Sequence, residues 1–136
     1  MTIVVDASIA LKWFIQESEF LEARALMRQA NGFAAPDLIV AEVANAFWRK
    51  RCLGAVSTAQ ASEALEELLT EIDLLVPCGD LWRAALGASE ELDHAIYDCF
   101  HLALAQSLDA RMVAADRRLI AKVARSRFAR LVTPLT

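Results

Sequence analysis

The sequence predicts an α/β fold, a three-layer α/β/α sandwich with a central parallel sheet of four to five strands. Short apolar runs alternate with helical stretches along the whole chain, the pattern of strands joined by crossover helices. The runs are three to five residues long and apolar almost throughout, as in strands covered on both faces. With 136 residues, 57% of them hydrophobic, the chain suits one domain (residues 1–136) that buries roughly two thirds of its unfolded surface.

The elements follow in order. TIVVD (2–6) is a β-branched run ending in an acid, and ASIALKWFIQ (7–16) has helical spacing through Ile9, Leu11, Trp13 and Phe14. A second helical stretch spans Phe20 to Ala30, and GFAAP (32–36) reads as a strand. Asp37, after Pro36, is placed to open the helix LIVAEVANAFWRKR, which Gly54 closes. Ser57 with Gln60 makes a capping-box pattern ahead of a helix through Ile72. LLVP (74–77) is a strand, and a looser helix is expected from Gly79 to Leu92. AIYDCFHLALA (95–105) is a helix, ARMVA (110–114) a strand, DRRLIAKVA (116–124) a helix and RLVT (130–133) a last strand.

Composition excludes several classes. The longest stretches without Asp, Glu, Lys or Arg are eleven residues (Cys52 to Ser62) and ten (Cys99 to Leu108), short of the ~18 that span a bilayer. The start reaches Asp6 without a basic residue, unlike a secretory signal, so a cytoplasmic protein is expected. Cys52, Cys78 and Cys99 fit neither a disulfide framework nor a zinc motif and are expected to be reduced, mostly buried thiols. Net charge is -4, yet seven of the fourteen basic residues lie between Arg111 and Arg130, where Asp116 is the only acid. Such a tail suits phosphate contact or an ordinary solvated helix face.

The chemistry lies in the acids. Nine of the eleven residues of AIYDCFHLALA are apolar, so Asp98 is expected to have little water, at an effective cost of several kcal/mol for a buried charge. Glu42 repeats the pattern among Leu38, Ile39, Val43, Ala46 and Phe47. Asp6 and Asp116 follow apolar strands, at the ends where α/β sheets bind ligands. Four acids converging on one crevice repel one another unless a cation intervenes, and oxygen ligands suit Mg2+ or Mn2+. Taken singly, Asp6 and Asp116 read more readily as helix caps, strand-end turns or surface charges than as ligands. His94 and His101 are assigned hydrogen-bonding or packing roles rather than metal ligation, and Ser8 is placed to cap the first helix.

Four stretches together resemble the PIN-domain ribonucleases, and within them the VapC-type toxins of bacterial toxin–antitoxin pairs. They are IVVDASIAL with Asp6, APDLIVAEVANAFWR with Glu42 and Asn45, AIYDCFHLALA with Asp98, and VAADRRL with Asp116. One departure is Ala114, where members often carry Thr or Ser two residues before the fourth acid. The resemblance implies a Mg2+- or Mn2+-dependent endoribonuclease, a homodimer, an RNA substrate and an antitoxin partner. Asp6, Glu42, Asp98 and Asp116 are the expected metal ligands and catalytic residues. Asn45 would orient Glu42, while Ser8, Arg117 and Arg118 would support the site or contact RNA. Two alternatives remain: an idle binding domain of the same fold, and a receiver-like phosphorylation switch. The switch needs adjacent acids after the first strand and a Lys after the last, and here a single acid and Pro134 stand there.

Overall fold

The computed structural model describes residues 2–136. Strands β1 (Thr2–Val5), β2 (Gly32–Pro36), β3 (Leu74–Val76), β4 (Arg111–Ala114) and β5 (Val132–Pro134) form one sheet in the order β3-β2-β1-β4-β5. Every pairing is parallel, with Val4 beside Ala34 on one side and Met112 on the other. The chain moves outward from β1 through β2 to β3, then returns to add β4 and β5 on the opposite side. The order therefore reverses at β1, and a crevice opens beyond the carboxyl ends of the strands there.

The helices are α1 (Ala7–Lys12), α2 (Phe20–Gln29), α3 (Leu38–Cys52), α4 (Thr58–Glu71), α5 (Trp82–Leu92), α6 (Ile96–Leu108) and α7 (Arg117–Ala124). Successive strand residues point to opposite faces, and two cores result. Ile3, Val5, Phe33, Ala35 and Val113 pack against α1 to α4 through Ile9, Trp13, Ile39, Val43, Phe47 and Leu68. Val4, Ala34, Met112 and Ala114 pack against α5, α6 and α7 through Ala85, Leu102, Leu104, Leu119 and Val123. This is the expected three-layer sandwich, with five strands.

Local chemistry explains the ends. Ser57 and Gln60 form the reciprocal capping box of α4. Gly54, at φ 77°, supplies the left-handed residue that closes α3. Helix α1 stops at Lys12, four residues before its expected end, because Trp13 is captured. Its indole nitrogen donates to the Ala23 carbonyl (3.0 Å) and its ring packs 4.8 Å from that of Phe33, which turns the chain toward α2. Asp37 sits at the N-cap of α3, but its side chain makes no capping hydrogen bond there. Its Oδ1 instead accepts from the Cys78 amide at 3.0 Å, tying the end of β2 to that of β3. A 3-10 turn at Cys78–Asp80 delays α5 to Trp82, and another at Ala129–Leu131 shifts β5 to Val132–Pro134. Pro134 is tolerated because β5 is an edge strand.

Of the three thiols only Cys99 is buried; Cys78 is half-buried and Cys52 exposed. The expectation of mostly buried thiols fails because Cys52 ends α3 at the surface. Burial, with the nearby Asp98 charge adding to it, pushes the Cys99 thiol up to about 11, so it stays protonated and inert.

Leu102 is fully buried between α6 and the sheet. Leu102→Ala is expected to cost about 2–5 kcal/mol, measured as a lower urea midpoint at unchanged slope.

Candidate active site

Two acids leave the sheet at its carboxyl edge. Asp6 follows β1 and caps α1: its Oδ1 accepts from the Ile9 amide (3.0 Å) and from the Ser8 hydroxyl (2.7 Å). Asp116, two residues beyond β4, caps α7 through its own Oδ1, accepting from the amides of Arg118 (2.9 Å) and Leu119 (3.4 Å). The cap of α1 therefore belongs to Asp6, and Ser8 supports that carboxylate instead of capping. In both acids one oxygen holds a helix terminus, and both residues line the crevice. The structural and functional readings of these residues are compatible.

Asp6 is the acid that pays for burial, with 5% exposure. Burial raises its pKa above the ordinary 3.8, opposed by the charge of His101, the Ile9 amide and the Ser8 hydroxyl, and reinforced by the Asp98 charge. Asp98 is more open than expected, its side chain 28% exposed. It sits in the first turn of α6, and the buried face of that helix begins behind it at Cys99, His101 and Leu102. Tyr97, apolar in composition, is in fact 61% exposed, which is why the apolar count misjudged the front of the helix.

Two histidines organise the remaining acids. His101, 1% exposed, bridges the Val5 carbonyl through Nδ1 (3.1 Å) and Glu42 Oε1 through Nε2 (3.1 Å). The hydrogen bond that fixes Glu42 thus comes from His101, and Asn45 faces the same cavity without contributing one among the described residues. His94 Nε2 lies 2.6 Å from Asp98 Oδ2 and 4.0 Å from Asp116 Oδ2.

A cavity of about 580 Å³ gathers Asp6, Ser8, Glu42, Asn45, Asp98 and Asp116, with Arg49, Lys50 and Leu53 along its wall. All four acids read from the sequence therefore face one space. The donor set is carboxylate, which fits a hard divalent cation. Ligand atoms of His94, Asp98 and Asp116 come within 4.8 Å of one another, the one such trio among the described residues. Arg117 lines a separate cleft with Glu19 and Thr136, and Arg118 gives the site its backbone amide. Lys122 is turned toward the Asp93 carbonyl.

Sequence reasoning missed Arg49 and Lys50. Glu42, Asn45, Ala46 and Arg49 fall at helical spacing on one face of α3, with Leu53 just past its end, and that periodicity was the available signal.

The PIN domain family profile matches residues 3–126, and the chain belongs to that family. It is 29% identical over 136 residues to Ribonuclease VapC3 of Pyrobaculum aerophilum, a match covering 98% of this chain and all of that protein. A crystal structure of a Pyrobaculum aerophilum protein superposes with a TM-score of 0.70 at 24% identity, covering 99% of this chain and 90% of the other. VapBC2 of Rickettsia felis, solved with a DNA fragment from its promoter, gives 0.69 at 13% identity over 98% of each chain. A toxin–antitoxin complex from Klebsiella pneumoniae gives 0.67 at 16% identity, again over 98% of each.

The raised pKa of Asp6 fixes a sign. Its neutral form is favoured on folding, so its contribution to stability is fully present below the unfolded value and is lost as pH rises through the folded one. In metal-free protein at pH 7, Asp6→Asn is expected to raise the melting temperature. The gain should shrink as pH falls toward 4 in a series of thermal melts.

Proposed function

We propose that this protein is a divalent-metal-dependent endoribonuclease, the toxin of a toxin–antitoxin pair, acting on RNA in the cytoplasm as a single catalytic domain. The observation that carries the reading is the convergence of Asp6, Glu42, Asp98 and Asp116 on one cavity whose wall is basic at Arg49 and Lys50. Membership of the PIN family and the likeness to Ribonuclease VapC3 support it. The described helices include none long and apolar enough to cross a membrane.

Asp6, Glu42, Asp98 and Asp116 would hold Mg2+ or Mn2+. When bound, the ion lowers the pKa of a water and neutralises charge developing on the phosphate. Ser8 and the Ile9 amide hold the Asp6 carboxylate, and His101 holds Glu42, so neither acid must reorganise when substrate arrives. Arg49 is exposed and Lys50 half-exposed at the rim, where RNA phosphates can be gripped outside the acidic floor. The Lys50 ammonium is 3.6 Å from Glu17, which leaves Arg49 the freer of the two. Arg117 and Arg118 remain as outer contacts for longer RNA.

The complexes from Rickettsia felis and Klebsiella pneumoniae pair a like-folded chain with an antitoxin. We extend that partner, and a homodimeric state, to this chain. An idle binding domain has one feature in its favour, the missing hydroxyl at Ala114. Retention of all four acids in one cavity weighs more, because uncompensated carboxylates cost stability without a cation to use them.

Purified full-length protein, free of antitoxin, is expected to cut total cellular RNA with Mn2+ and not with chelator, as read by mapping of cleavage ends. Asp98→Asn should lower the rate by about a hundredfold or more while the circular-dichroism spectrum stays unchanged. Mn2+ should raise the melting temperature of wild type more than that of this variant. Arg49→Ala should weaken RNA binding and reduce the slope of log affinity against log salt by about 0.7.

A further inference from the structure

We propose that Tyr97 is a nucleobase-binding residue, a platform on which the RNA base next to the phosphate that is cut stacks. The residue is 61% exposed and stands in the first turn of α6 beside Asp98, which lines the cavity. Adjacent Cα atoms are about 3.8 Å apart, so a base on this ring belongs to a nucleotide adjoining the phosphate held at the acids. Only an unpaired base can offer its face to the ring.

Single exposed aromatics are ordinary; what distinguishes Tyr97 is its direction and the charge around it. Asp98 lines the cavity from the first turn of α6, so the amino end of that helix is its crevice end. Helical side chains lean toward the amino end, which carries the Tyr97 ring outward past Asp98 and away from the sheet. One turn further in, on the same stripe of α6, His101 reaches Glu42 at 3.1 Å. Tyr97 therefore stands on the Glu42 side of the opening, above the floor of acids. The two walls differ in what they can hold. The α3 wall offers Arg49 and Lys50 to phosphates. The α6 wall offers no cation, since residues 93–100 (DHAIYDCF) contain neither Lys nor Arg. Lys122 of α7, which reaches this turn, is committed to the Asp93 carbonyl. With Asp98 alongside, a phosphate on this wall would be repelled. An uncharged aromatic face attracts a base without that penalty and accepts any base, because every base has a π-face. RNA is thus gripped by phosphate on one side of the cut and by base on the other.

The inference deepens the proposed function and rests on its RNA substrate. Its test is equilibrium binding by fluorescence anisotropy, in the Asp98→Asn background so that the probe stays intact. The probes are a short single-stranded RNA of mixed sequence and an abasic ribose–phosphate strand of the same length. Tyr97→Ala is expected to weaken RNA binding about tenfold, to leave the abasic strand unaffected and to leave the slope of log affinity against log salt unchanged, unlike Arg49→Ala. Tyr97→Phe should bind RNA as the tyrosine protein does, and Tyr97→Leu, which keeps apolar bulk without a π-face, should lose affinity as alanine does. If Tyr97→Ala does not fold, the phenylalanine and leucine variants give the answer. RNA affinity unchanged in both Tyr97→Ala and Tyr97→Leu, or an equal loss on the abasic strand, would overturn the platform. So would a change of oligomeric state in sedimentation with RNA affinity intact, which would make Tyr97 a contact between protein chains. Cleavage of RNA by wild type with no effect of these variants would overturn the platform and leave hydrolysis standing; base-dependent binding through Tyr97 in a protein that cuts no RNA would do the reverse.

Discussion

A buried imidazole holds the two sides of the candidate site together. His101 reaches from α6 to the last carbonyl of β1 and to Glu42 on α3. The ring also lies next to Asp6, where its electrostatic attraction offsets part of the penalty of burying a carboxylate. Three elements from distant parts of the chain thus share one proton donor, and removing it would strand a backbone carbonyl and a carboxylate together.

The electrostatics of the cavity follow from how unevenly its acids are wetted. Asp6 is enclosed and held by two hydrogen bonds, whereas the Asp116 side chain is 41% exposed. Hydrogen bonds to a charged group contribute about 1.5–3 kcal/mol each, comparable with the several kcal/mol that burial costs. The Asp6 carboxylate is therefore tolerable without metal but improved by it. Asp98 and Asp116 need less help from the protein, since water reaches them.

Much of this was legible in the sequence, because the strands are short apolar runs and the helices carry their own punctuation. Thr2–Val5 and Arg111–Ala114 stand next to their acids, so the carboxyl edge of the sheet is legible in the sequence. What escaped depends on contacts that no local pattern encodes. His101 meets partners 96 and 59 residues away in the chain. The early end of α1 rests on the capture of the Trp13 indole by Ala23. The openness of Asp98 departs from the expectation because it stands in the first turn of α6, ahead of the helix's buried residues, whereas Asp6 follows β1 at the centre of the sheet. Arg49 and Lys50 fell in the last turn of α3, where basic residues already have a role against the helix dipole.

The shared face of α3 has a metric consequence. Glu42 at the floor and Arg49 at the rim are seven residues apart on one rigid rod, about 10.5 Å at 1.5 Å per residue. For an RNA lying along the rod, the distance between the phosphate that is cut and the one that is gripped is set by helical rise, so the backbone itself serves as the ruler.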